Sequence, residues 1–151
     1  MYQCYGRAHS SVIAAHLHLG RLPMDRPVQV REILALPLFD RAQASDFGIP
    51  CYMGTDTLGH AVYIIGFGSG ARECSQAMES VLGIMGWAGE VFLVDVLDCI
   101  GVTARLGGML SRRLGWVSLG RPLAAWGMLR SLEGLRRLVQ SVKEVLASRH
   151  G

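Results

Sequence analysis

The chain has 151 residues, half of them apolar and 18% charged, with a formal net charge of +3. That composition excludes the low-hydrophobicity, high-charge chains that stay disordered, and a domain of this length buries roughly 70% of the surface its unfolded chain exposes. The four cysteines, at 4, 51, 74 and 99, are widely spaced, with no C-x-x-C pair and no clustered His/Cys set, which argues against structural zinc and against a disulfide framework.

Charge is unevenly divided. Residues 1–98 carry 6 arginines against 10 acidic residues, whereas residues 99–151 carry 9 Lys+Arg against 2 acidic residues. The basic residues are nearly all arginine, the better fork for phosphate or carboxylate, and Lys143 is the single lysine. No apolar run approaches about 18 residues, and the first residues lack the basic and apolar regions of a secretory signal, so a cytoplasmic setting is expected.

In chain order, Tyr2–Tyr5 is a β-prone run ended by Gly6, and Val12–Leu19 is an apolar helical stretch stopped by Gly20 and Pro23, with Ser10 and Ser11 as N-cap candidates. Val28–Leu36 reads as a short helix. Ile49–Met53 and Ala61–Gly66 read as a hairpin joined through Gly54–Gly59, where Asp56 suits turn chemistry. Ala71–Met85 has helical spacing. Val91–Val94 is a continuous apolar run ending in Asp95, which predicts a buried central strand.

Residues 100–128 are apolar and broken by glycines, with Arg105, Arg112, Arg113 and Arg121 among them, and they predict one or two helices and a loop. In the tail, Leu129, Leu132, Leu135, Leu138, Val139, Val142, Val145 and Leu146 line one face of an amphipathic helix. The predicted fold is an α/β three-layer sandwich with a mostly parallel sheet, one antiparallel hairpin at an edge and helices on both faces. Residues 1–128 form one α/β domain, and 129–151 a helix packed on it or extending from it.

The segment Cys4–Ser11 joins the first strand to the first helix, where unpaired backbone N–H groups and the helix dipole attract negative charge. Gly6 frees the backbone to curl. Compared with the P-loop pattern G-x-x-x-x-G-K-[ST], Ser11 meets the hydroxyl position but Ser10 stands at the lysine, and Val91–Asp95 is similar to a Walker-B strand. Cys4-x-Gly6-x-x-x-Ser10-Ser11 more closely resembles the loop of the low-molecular-weight tyrosine phosphatase and arsenate reductase family, C-x-x-x-x-x-R-S. By that resemblance Cys4 matches the nucleophile and Ser11 the serine that steadies its thiolate, while Ser10 holds the arginine position.

Across residues 1–128 the chain also resembles an uncharacterised, DUF3189-like family of short proteins from spore-forming Firmicutes. The resemblance is carried by Tyr5–Ser11, Ala14–Gly20 with Leu22-Pro23, Leu34–Asp40, Gly54-Thr55-Asp56, Gly107–Gly115 and Gly120–Leu123. It implies a bacterial cytoplasmic setting, with a role in sporulation as a further expectation, and supplies no activity.

The residues point to an anion- or phosphate-ester-binding protein of unsettled enzymatic status. Gly6, Arg7, Ser10 and Ser11 form the cradle, and His9 either contacts the ligand or caps locally. Cys4, His9 and Asp95 are the candidates for chemistry, although Cys4 also suits a buried strand and Asp95 a helix cap. Arg112, Arg113 and Arg121 would form a second phosphate clamp or a solvated basic face. His16 and His18 point to different faces of one helix and share no metal easily; no metal set and no cofactor is indicated. The alternative is an interaction protein whose basic C-terminal third docks a protein partner or a second copy. Nucleic acid is not expected, since no aromatic platform interleaves with the basic residues. Trp116 and Trp126 are expected to pack in the core more than to rest on a membrane surface.

Overall fold

The computed structural model describes residues 1–99 and 117–149. Tyr2-Gln3-Cys4 forms strand β1, which lies inside a four-stranded sheet of order β2-β3-β1-β4, where β2 is Cys51–Thr55, β3 Ala61–Gly66 and β4 Val94–Asp95. β1 pairs in parallel with β3, Tyr2 opposite Ile64 and Cys4 opposite Gly66, and with β4, Tyr2 opposite Val94. β2 and β3 form the antiparallel hairpin, so the sheet is mostly parallel with one antiparallel edge pair. The ladder is irregular between Tyr52 and Gly54, and Gly54 takes a φ of 149°, open to glycine alone.

The alternation of a strand sends Tyr2 and Cys4 to one face and Gln3 to the other. On the first face lies α1, Ser10–His18, all nine of whose residues are buried. The long helix α4, Val117–Ser148, packs on α1, and the short helix α2, Val30–Leu34, packs on α4. α4 meets α1 through Ala125, Met128, Leu132, Leu135, Val139 and Val142, all buried at alternating three- and four-residue intervals that keep one stripe inward. The helix is continuous across residue 128, so residues on both sides of that point share one core. Pro122 lies inside this helix, near its beginning.

On the second face Ile65 is buried and α3, Ala71–Ile84, reaches the sheet through Ser75, whose hydroxyl lies 2.6 Å from Gln3 Oε1. No residue of α3 is buried, and Ile84 is 87% exposed. The protein is therefore an α/β fold with helices on both faces, as the pattern predicts.

One expected strand is displaced. The run Val91–Val94 contributes only Val94, with Asp95, and lies at a sheet edge and not at its centre. Val94 N–H bonds Met1 O at 2.9 Å, while Phe92 just before it sits under the Arg149 guanidinium, 5.3 Å from its ring centre. An apolar run suits this half-covered extended segment as well as a central strand. Among the described residues no helix is long and apolar enough to cross a membrane.

Candidate functional site

β1 and β3 are parallel neighbours whose following helices leave to opposite faces, which opens a crevice at their carboxyl ends. The two outgoing loops are stitched together there: Gly68 N–H bonds Tyr5 O at 2.8 Å and Phe67 N–H bonds Cys4 O at 3.3 Å. The loop after β1 runs directly over Gly66. A Cβ on Gly66 would stand 2.8 Å from Arg7 N and 2.9 Å from the Gly6 carbonyl carbon, so the path of the loop requires glycine beneath it. Arg7 itself takes a φ of 54°, and its side chain pairs with Asp46 at 2.8 Å and donates to Ile49 O at 2.9 Å. Its guanidinium is thus turned to the lead-in of β2.

The expected serine caps lie one step inside the helix. His9 is the N-cap residue of α1, with φ −127° and ψ −82°, and provides no side-chain cap; the first turn carries no acidic residue. The free N–H groups and the positive end of the dipole are left without an internal anion in that turn. Ser10 opens the helix with 4% of its surface exposed, and its hydroxyl meets no partner among the described residues. Ser11 is fully buried and its Oγ lies 3.0 Å from Cys4 Sγ, so the thiol forms the floor beneath the helix start.

The rim is built by residues far apart in sequence. His9 Nε2 lies 3.0 Å from Asp40 Oδ1, and its ring packs edge-on to Phe39. Arg121, from the beginning of α4, places Nε 3.9 Å from Asp40 Oδ2 and directs Nη2 at Phe39 O, 3.5 Å away. That Nε is buried without a hydrogen bond. Asp40 is fixed by its own N–H to Ala8 O at 2.9 Å, and both Leu38 and Asp40 adopt left-handed backbone, with φ of 65° and 57°. Such conformations cost about 1–3 kcal/mol each and persist where surrounding structure over-determines them, often at ligand clamps.

Of the predicted site residues, the structure brings Cys4, Gly6, His9, Ser10, Ser11 and Arg121 to one end of the sheet. Arg7 starts there and turns away. Asp95 is in register with Gln3, hence on the α3 face, and its Oδ1 accepts Leu97 N–H at 2.8 Å as a local cap. Arg112 and Arg113 lie outside the described residues. Asp40 had no predicted role. Its only sequence signal is position: an acidic residue closing the turn Pro37-Leu38-Phe39 inside a segment that carries the family resemblance.

A second polar cluster ties β1, α1 and the hairpin turn. The Tyr2 hydroxyl donates to His18 Nδ1 at 2.7 Å, which leaves Nε2–H to donate to Asp56 Oδ2 at 3.0 Å. His60 Nδ1 meets the same oxygen at 3.0 Å, and Oδ1 accepts the backbone N–H groups of Leu58 and His60 at 2.9 and 2.8 Å. Burial pushes the Asp56 carboxyl up, but bonds from His18, His60 and Leu58 outweigh it and hold it below the usual carboxylate range. Burial lowers His18, and Tyr2 is raised by burial and by the charge of Asp56. These groups bond one another and serve as a clamp. Sequence reading gave Asp56 its turn role and missed its two histidines.

The basic residues of α4 are partly structural: Arg136 donates to the carbonyls of Pro23 and Arg26, and Arg130 stacks 4.3 Å above the half-exposed Trp126 ring. Trp126 is thus not a core residue, contrary to expectation. Comparison with known proteins matches residues 1–144 to one family, described as Protein of unknown function (DUF3189). No curated protein and no solved structure matches the chain.

Proposed function

The chain belongs to this family of unknown function, and we propose that it is an anion-binding protein whose ligand is a small phosphate-containing molecule held at the start of α1. The observation that carries the reading is Ser10: a residue 4% exposed, its hydroxyl without a hydrogen bond among the described residues, on the first turn of a helix whose N-cap side chain does not cap it. A phosphate oxygen there would accept from the hydroxyl and from the first-turn N–H groups, each a charge-assisted bond of about 1.5–3 kcal/mol. Arg121 supplies positive charge at the rim and His9 a ring nitrogen. Binding is favoured over covalent chemistry, because Cys4 is 4% exposed and bonded to Ser11. We place the protein in the cytoplasm, where Cys4, Cys51 and Cys74 remain free thiols.

The test is thermal unfolding in phosphate, sulfate, nucleotides and, at matched ionic strength, chloride. A ligand at about 100 times its Kd stabilises by about 2.7 kcal/mol, a shift of a few degrees in Tm for this size. Phosphate is expected to raise Tm above chloride in the wild type, and Ser10→Ala to remove most of that rise. Equal Tm values in all salts would refute the reading.

A further inference from the structure

Asp40 occupies the place that a bound anion would take between the His9 ring and the Arg121 guanidinium at the rim. One carboxylate oxygen lies 3.0 Å from His9 Nε2 and the other 3.9 Å from Arg121 Nε. The carboxylate is set there by a backbone turn with two left-handed residues and a hydrogen bond to Ala8, the residue just before the N-cap of α1. Ser10, adjacent to His9, has no acceptor of its own among the described residues, and Arg121 Nε is buried with none. Thus an unused hydroxyl stands on the residue next to His9, and an unused N–H on Arg121, the two partners of one internal carboxylate.

We propose that Asp40 is a built-in competitor for the anion site: an incoming phosphate takes over Arg121 and His9 from Asp40 while its remaining oxygens meet Ser10 and the first turn of α1. The inference rests on the anion-binding reading and adds its regulation and its charge partner. Arg121, 111 positions after Ser10, replaces the cation that the loop lacks locally, since Arg7 is committed to Asp46. A phosphate can accept a bidentate fork and a helix terminus together, whereas the single carboxylate of Asp40 does not reach both. The site therefore favours ligands of higher charge: dianionic phosphate and its monoesters over carboxylates and monoanionic diesters.

The experiment is titration with inorganic phosphate, followed by calorimetry and by the side-chain NMR signals of His9 Nε2 and Arg121 Nε. Variants are Asp40→Asn, Arg121→Gln and the double substitution. Removing the competitor is expected to tighten phosphate binding about tenfold, and removing the guanidinium to weaken it about tenfold or more, the effect of one charge-assisted bond. In the double variant the gain from Asp40→Asn is expected to vanish. In the wild type, both NMR signals are expected to move along the same saturation curve, which decides the matter even where Asp40→Asn does not fold. Phosphate binding that depends on Ser10 while Asp40→Asn leaves it unchanged or weaker, or wild-type binding that leaves both signals still, would overturn the competitor and keep the site. Absence of binding to any of these proteins would overturn both.

Discussion

Gly66 shows how little room the loop over β3 has. Gly66→Ala would drive a Cβ against the backbone of Gly6 and Arg7, and backbone cannot step aside as a flexible side-chain tip can. The expected cost is about 1–3 kcal/mol, seen as a lower urea midpoint together with loss of the phosphate-induced rise in Tm. Asp56→Ala acts elsewhere: it strands the buried Nε2–H of His18 and two backbone N–H groups at once. A loss of about 2–4 kcal/mol is expected in chemical denaturation, with phosphate binding retained in the folded fraction. Gly6, Ser10, Ser11 and Cys4 were legible from the sequence because one short segment carries them. Asp40 was not, because its role comes from a turn that folds back on Ala8, and no spacing in the chain announces that.

Helices and strands differ in how plainly they announce themselves. The inward stripe of α4 from Leu132 to Val142 is regular, and the tail was readable from it. Its start at Val117 was hidden in a glycine-broken apolar stretch. β4 misled for the opposite reason: four consecutive apolar residues say that a segment avoids water, not which neighbour shields it. Truncation within the α4 stripe, Leu135→Ala, is expected to cost about 2–5 kcal/mol in a melt, as for other fully buried leucines. α3 stands at the other extreme. With none of its residues buried, its backbone amides are expected to exchange with deuterium far faster than those of α1, whose nine residues are all inside. Equal protection of the two helices would show that α3 is covered in solution.

For the whole molecule, buried ionisable groups set a pH dependence. Burial lowers His16 and His18 from their ordinary 6.5, with Arg21 adding to the first and Lys143 to the second, while Asp56 partly opposes the shift at His18. Below pH 6.5 the unfolded chain therefore binds more protons than the folded one, and stability falls as pH falls. Asp56 acts in the same sense lower down: its folded value lies below the ordinary 3.8, so its stabilisation is present above 3.8 and is lost beneath it. Urea midpoints are expected to decline from about pH 7.5 to about pH 5.5 and again below about pH 4. A flat profile between the first two would show that the histidines are not held neutral. Composition forecast an ordinary globular core, but which polar groups it would enclose depended on pairings between distant segments.

The register of β1 against β3 places Tyr2 beside Ile64. Some sixty residues must close into a loop before the crevice above Gly66 exists, an entropically costly event on the path to the native state. A ligand that recognises that crevice finds it only after the parallel pair has formed. Phosphate is accordingly expected to slow unfolding in proportion to its occupancy and to leave the refolding rate nearly unchanged, so that the chevron moves on one limb alone.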